Sequence, residues 1–393
     1  MKQLLLKNCA TITAGQGAPQ REDDFDLAGM PFVRAGSLEE LIAGRGEDCL
    51  EKVTKDAVKR YRLKLFPSGT VLFAKSGMSA TKDRVYNLKQ PAYVVSHLAA
   101  ITPSNVLDSD YLMYFLRFFR PSRLIKDPSY PSIGLSDVER IKINDLDISH
   151  QKEVAQLLRK VELIIEKRRQ TLRLADRFLK SAFLEMFGDP TKRYIQFKSV
   201  LGDYLKVLGG YAFKSTEFEK RGIPVIKIGT VNKGCFDIYT CSFMPFNARE
   251  RYCKFIIKPF DLLISLTGTT GKEDYGNVCI VTAEYSEYLL NQRVGKLQIE
   301  DKKLNPIFLY YYLKHPYIKQ NLTTVSRGVR QANISNEDIM AIKLDLPPED
   351  KQQKFADLVL KVEKYKEKLK QSETQLQSLF NSLMQKAFKG ELF

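Results

Sequence analysis

Three histidines and six cysteines are all the imidazoles and thiols that this 393-residue chain could offer a zinc ion. No Cys-x-x-Cys pair occurs among Cys9, Cys49, Cys235, Cys241, Cys253 and Cys279, so the spacing supports neither a zinc site nor a disulfide framework. Cys235, Cys241 and Cys253 lie closest to a cluster, but they fit strand positions better than ligand spacing. No apolar run approaches the roughly 20 residues a membrane-spanning helix needs. The first seven residues, Met1 to Lys7, hold too short an apolar run for a signal peptide. Unpaired thiols and no export signal point to a reducing cytoplasm.

Charge is abundant and unbalanced. Lysine and arginine number 62 against 46 aspartates and glutamates, a formal net charge of +16. Such an excess attracts polyanions, nucleic acid first among them. The length suits two or three domains, and 44% hydrophobic residues allow sizeable cores.

The chain repeats itself. Ile141–Glu162 aligns with Ile342–Glu363 at a constant shift of 201 residues without a gap. Ile141, Lys142, Gln151, Ala155, Leu157, Lys160, Val161 and Glu162 meet identical residues. A 4-3 apolar stripe continues from Val154 to Met186 and from Phe355 to Ala387, broken by Arg168 in the first and by Lys366 and Glu373 in the second. That period is the seam of a coiled coil. Each stretch predicts a helix of about 55 Å, at 1.5 Å per residue, too long for one domain of about 15 Å radius of gyration. The two helices therefore pack on each other. Gly188 with Pro190, and Gly390, are the expected stops. Arg168 and Lys366 either flank DNA or pair across the helices with Glu373 and Glu166. Weaker echoes precede the helices: Pro31–Ser37 with Pro224–Thr230, Gly69–Gly77 with Phe260–Gly268, and Asp110–Leu116 with Pro306–Leu313.

With these features the chain resembles the specificity subunits of type I restriction–modification systems. The resemblance covers nearly the whole chain and is sharpest at the helix ends, Ser181–Pro190 and Leu383–Leu392, and at the helix start Ile342–Gln352. The first helix start departs from it, with Leu146-Asp147-Ile148 in place of Pro347-Pro348-Glu349. The resemblance implies an α+β fold: two strand-rich target-recognition domains related by pseudo-twofold symmetry, separated by two long helices in an antiparallel coiled coil. It implies a bipartite, asymmetric DNA site. It further implies two methyltransferase subunits that use S-adenosylmethionine to methylate adenine, and restriction subunits for cleavage. The expected segments are 1–149 and 191–346 for the recognition domains, 150–190 and 347–393 for the helices.

Enzyme motifs fail on inspection. Asn305-Pro306-Ile307-Phe308 resembles the amino-methyltransferase motif but has Ile at its third position and no upstream glycine-rich cofactor loop. It reads better as a helix start. Gly268–Glu273 suggests a phosphate loop, yet Leu266 stands where its first glycine belongs and Glu273 where Ser or Thr must bind magnesium. The chain is expected to be non-catalytic, with no cofactor and no metal of its own. A stand-alone basic DNA-binding or architectural protein is the alternative.

Base reading calls for Arg, Asn and Gln, and phosphate contacts for Lys, Arg, hydroxyls and free amides. The richest tract is Arg327, Arg330, Gln331 and Asn333. Its first-half counterpart offers Lys126, Ser129 and Tyr130. Lys75 and Ser76 in the first half, and Thr267, Thr269, Thr270 and Lys272 in the second, are candidates for the DNA backbone, with Arg34 and Lys227 beside them. A solvated loop or a plain turn remains the competing reading for each.

Overall fold

A computed structural model describes every residue except 1, 192–197, 270, 273, 325–330 and 393, and leaves the side chain of Gln331 undescribed. The chain divides into two compact units, Met1–Gln170 with Leu369–Phe393, and Thr171–Lys368.

The first unit opens with β1 (Gln3–Leu5), β2 (Ala10–Ala14) and β3 (Phe25–Val33). Helix α1 (Ser37–Ile42), β4 (Lys52–Val53) and α2 (Lys55–Tyr61) follow, then β5 (Val71–Ala74), β6 (Val85–Asn87), β7 (Tyr93–Val94) and β8 (Leu98–Pro103). Helices α3 (Ser109–Phe119) and α4 (Leu135–Glu139) and strand β9 (Lys142–Asn144) lead into the long helix α5 (Ile148–Phe187). The strands form an antiparallel sheet β2-β8-β5-β6, a sheet β4-β3-β7 whose β3–β7 pair is parallel, and the pair β1–β9.

The second unit repeats this plan. Its strands are β10 (Ser199–Val200), β11 (Leu205–Gly209), β12 (Ile223–Ile226), β13 (Ser242–Met244), β14 (Ile256–Ile257), β15 (Leu262–Ser265), β16 (Thr267–Thr269), β17 (Val278–Ile280), β18 (Tyr288–Leu290), β19 (Val294–Ile299), β20 (Gln331–Asn333) and β21 (Lys343–Leu344). Short helices α6 (Ile228–Val231) and α7 (Ala248–Arg251) sit between strands. Later come α8 (Pro306–Leu313), α9 (Pro316–Thr324), α10 (Asn336–Met340) and the long α11 (Glu349–Lys389). The sheets are β11-β19-β15-β17, β13-β12-β18-β14 with β12–β18 parallel, and the pairs β10–β21 and β16–β20.

Alternation explains the central strands. Val71 and Phe73 of β5 enter one core, while Leu72 and Ala74 enter another. In β15, Leu262 and Ile264 face one core and Leu263 the other. A strand buried on both faces is apolar almost throughout; the one polar side chain in these two runs, Ser265, is fully buried and accepts from the Asn277 N–H (2.9 Å).

Each unit takes the start of one long helix and the end of the other. In the first unit, Val154 and Leu158 of α5 share a core with Met384, Ala387 and Phe388 of α11. The Phe388 ring lies 5.2 Å from Tyr111 and 5.4 Å from Phe118. In the second, Leu179, Phe183 and Phe187 of α5 pack with Phe355 and Val359 of α11. Phe187 stands 4.9 Å from Phe308 and 5.5 Å from Phe355. The helices are thus antiparallel within each unit. Gly188 (φ 80°) and Gly390 (φ 78°) follow the helix ends in the left-handed conformation, where glycine carries no Cβ penalty.

A buried glutamine ties each long helix to its sheet domain. Gln151, 3% exposed, donates to the carbonyls of Val106 (3.0 Å) and Leu146 (2.8 Å) and accepts from the Asp108 N–H (2.8 Å). Gln352, fully buried, donates to Lys303 (3.0 Å) and Pro347 (2.7 Å) and accepts from Asn305 N–H (2.9 Å). Asp108 and Asn305 are the N-caps of α3 and α8. One side chain therefore satisfies three backbone groups that would otherwise lose hydrogen bonds on burial.

Two of the residues that break the stripes, Lys366 and Glu373, pair across the helices, with partners other than those the sequence suggests. Lys366, 9% exposed, donates to Asp176 (2.6 Å) and to Glu363 (2.7 Å), not to Glu166. Burial opposes its charge, but the two carboxylates outweigh it and raise its pKa. Glu373 accepts from Arg169 at 2.7 Å rather than from Arg168. Ile165, 201 residues before Lys366, is buried at 4% exposure. None of the three clustered cysteines occupies a strand: Cys235 lies in a bend, Cys241 just before β13, and Cys253 in a 3-10 turn.

Candidate nucleic-acid interface

In the second unit the chain leaves β15 at Leu266, whose N–H donates to Arg293 O (3.0 Å) and whose carbonyl accepts from Ile334 N–H (2.9 Å). It then forms β16, paired antiparallel with β20: Thr267 opposite Asn333, Gly268 opposite Ala332, Thr269 opposite Gln331. Two candidate tracts that lie more than 60 residues apart by number thus become one two-stranded rim. Ala332 is fully buried and Asn333 exposed, as alternation requires. Only glycine fits at 268, because a Cβ there would stand 2.4 Å from the Asp274 carboxylate and 2.7 Å from Tyr275. Asp274 holds the turn by accepting from Thr269 N–H (2.8 Å) and its hydroxyl (3.0 Å). Exposed Arg293 borders the rim at the turn before β19.

The first unit builds the same frame with other side chains. Lys75 N–H donates to His97 O (2.9 Å), and Ile133 N–H donates to Lys75 O (2.8 Å). Ser76 bridges Ser132 antiparallel, and Gly77 N–H donates to Pro131 O (2.9 Å). These bonds equate Lys75 with Leu266, Ser76 with Thr267, Ser132 with Asn333 and His97 with Arg293. The Ser76 hydroxyl lies 2.7 Å from His97 Nδ1. Tyr130, 81% exposed, and Met78 stand at the edge of this rim. The backbone is shared and the exposed chemistry is not: hydroxyl, imidazole and lysine on one, hydroxyl, carboxamide and guanidinium on the other.

A family model for the type I restriction modification DNA specificity domain matches residues 6–174 and again residues 197–378. The chain belongs to this family. The MjaVIII type I restriction enzyme specificity subunit of Methanocaldococcus jannaschii is 23% identical over 307 residues, covering 74% of this chain and 71% of that one. The EcoBI specificity subunit of Escherichia coli is 31% identical over 192 residues, 47% of this chain and 37% of its own. In fold, the chain is similar to a type I restriction–modification S subunit from M. genitalium (TM-score 0.58, 14% identity, 98% of this chain and 96% of the other). It is also similar to a chain from a type I system studied for complex assembly (TM-score 0.61, 17% identity, 100% and 98% covered).

The specificity family's duplicated frame also locates the remaining candidates. Arg34 and Lys227 are equivalent, since the N–H of each donates to a hydroxyl three residues on, Ser37 and Thr230, at 3.2 Å. Their charges are engaged locally. Arg34 pairs with Glu51 (2.7 Å) over Phe25 and Phe32, and Lys227 donates to Ser242 (2.8 Å) over Phe218. Lys126 pairs with Asp137 (3.0 Å), and Ser129 N–H donates to Asp127 (2.8 Å). Lys272 is exposed on the turn after β16, its N–H donating to Thr269 O (3.0 Å). Thr270, Arg327 and Arg330 lie outside the described residues, and Gln331 is placed by its backbone alone.

Asn305 is spent on structure. Its carboxamide oxygen accepts from the N–H groups of Ile307 (2.9 Å) and Phe308 (3.3 Å), capping α8 with Pro306 in the first turn. A side chain so engaged is not poised to polarise a substrate amine. No group of His, Cys, Asp or Glu suited to a metal occurs among the described residues. Cys279 is buried in β17, which pushes its thiol up to about 12 and makes it a poor nucleophile. Among the described residues no helix is long and apolar enough to cross a membrane.

Sequence reasoning missed His97 and Arg293. Both precede a strand at matching places, where Leu98 N–H donates to Val95 O and Val294 N–H to Asn291 O, each at 3.0 Å. Val95–Leu98 and Asn291–Val294 share no residue, so only these common hydrogen bonds align them.

Proposed function

We propose that this chain is the non-catalytic specificity subunit of a type I restriction–modification complex and that its two rims read the two halves of an asymmetric DNA site. The observation that carries this reading is one hydrogen-bonded frame built twice with different exposed side chains. Direct readout depends on donors and acceptors presented at a groove, so unlike rims on like frames read unlike half-sites. Residues 1–149 and 191–346 act as recognition domains, and 150–190 and 347–393 as the helices that dock partners and set the unread spacer. Arg34, Lys126, Ser129 and Lys227 are candidates of a lower order because local partners already hold them.

Partner methyltransferase subunits supply adenine methylation, flipping the base out of the duplex, and restriction subunits supply cleavage. Two methyltransferase subunits suit a duplicated chain, one for each half. Affinity purification tests the partnership. The tagged chain should carry methyltransferase subunits with it, and the pair should methylate a split sequence that neither modifies alone. A chain that purifies alone yet binds DNA would be an architectural protein instead, and methyl transfer by the isolated chain would overturn the non-catalytic assignment.

A further inference from the structure

The second unit contains a cleft of about 660 Å³ between the turn after β16 and helix α9, lined by Lys272, Lys314, Lys319, Gln320 and Thr323 among others. No carboxylate lines it among the described residues. One wall is fixed by the Tyr275 hydroxyl, which donates to Thr323 O at 3.2 Å. The Lys314 ammonium donates to the Tyr310 hydroxyl (2.9 Å) and lies 4.7 Å from the centre of that ring, contacts that involve no carboxylate. Lys272 stands on the same turn as Thr269, so the cleft continues directly from the β16–β20 rim.

The first unit builds the equivalent place differently. Asp83 (φ 48°) and Gly276 (φ 65°) both adopt the left-handed conformation two residues before β6 and β17. At Asp83 a carboxylate accepts from the Ser122 N–H and hydroxyl, both at 2.8 Å, and pins the 3-10 turn Pro121–Leu124 against the loop. At Gly276 no side chain exists to do so, and the nine-residue helix α9 stands after α8 in place of that short turn.

We propose that this lysine cleft holds the phosphodiester backbone of the DNA beside the half-site read by β16 and β20, giving the second unit a non-specific clamp. The inference rests on the DNA-reading function proposed above. Lysines act on phosphate as point charges, and each phosphate neutralised releases condensed counterions. The clamp therefore contributes affinity and salt dependence but no sequence preference.

The test uses the complete complex of this chain with its methyltransferase partners and measures DNA affinity against salt. Replacing Lys272, Lys314 and Lys319 together by Gln should make the log–log slope shallower by up to about 2.7, at about 0.9 per phosphate contact. Binding should weaken equally on cognate and scrambled DNA, with the methylated sequence unchanged. Gln320→Lys should steepen the slope by about 0.9, which guards against a triple variant that merely folds badly. Lys302→Gln, outside the cleft, should leave the slope alone. Wild-type slopes in both cleft variants, in a complex that still prefers its cognate site, would overturn the clamp while leaving the reading function intact. A wild-type complex with no preference for any sequence would overturn both.

Discussion

The two units agree where the backbone is hidden and differ where side chains are exposed. Gln151 and Gln352 make the same three bonds to the same places in the fold. Leu6 N–H donates to Ile141 O (2.8 Å) as Leu201 N–H donates to Ile342 O (2.9 Å). The rims share main-chain bonds yet present His97 against Arg293 and Ser132 against Asn333. A frame held by backbone and buried amides leaves exposed positions free to change, because surface substitutions cost little stability. Specificity can therefore diverge without rebuilding the support.

The largest expected effect tests whether the two hubs are equivalent. Gln151→Ala and Gln352→Ala each leave one N–H and two carbonyls without their partner. Each should cost about 3 kcal/mol, from 1–3 kcal/mol per buried group left unpaired, and denaturant unfolding should show similar losses for both. A loss confined to one would mean that the hubs are not alike.

A smaller effect separates the helix seams. Ile165→Lys places a cation where the first unit has Gln377 at the position equivalent to Asp176, and should cost about 2 kcal/mol. Lys366→Ile installs the first unit's residue in the second and should shift stability by about 1 kcal/mol or less, because a paired buried charge contributes little net. The pH dependence has a definite sign. The folded-state pKa of Lys366 is raised above 10.5, so its ion pairs contribute fully below 10.5 and lose that contribution as pH climbs through the raised value. The difference between wild type and Lys366→Ile should move in favour of the variant only above that pH.

The smallest effect concerns one turn. Gly69 (φ 85°) and Phe260 (φ 71°) occupy the same left-handed position before β5 and β15. A side chain there costs about 1 kcal/mol. Phe260→Gly should raise the second unit's melting temperature, Phe260 being 75% exposed with little packing to lose. Gly69→Ala should lower the first unit's by a comparable amount. A drop on Phe260→Gly would reveal a packing role for the ring.

The duplication, the long helices and their glycine stops were legible because period and identity are local signals. Ile141–Glu162 and Ile342–Glu363 align without a gap. What crosses between elements was not legible. Lys366 meets Asp176 only because the antiparallel register brings them together, and no count along one helix supplies that register. The tracts around Thr267 and Asn333 were each chosen as candidates, but their union needed the β16–β20 pairing. Arg34 and Lys227 looked available because sequence shows charge and not its partner. His97 and Arg293 were hidden in short turns with no composition signal.

The most direct measurement is genome-wide methylation mapping in cells carrying the complex. One chain would be altered at the second rim (Thr267→Ala with Asn333→Ala), another at the first (Ser76→Ala with Ser132→Ala). Each pair should relax one half of the methylated sequence, a different half in each case, and leave the other half and the spacer as in the wild type. If both pairs degrade the same half, or weaken methylation everywhere without relaxing either, the two rims are not separate readers.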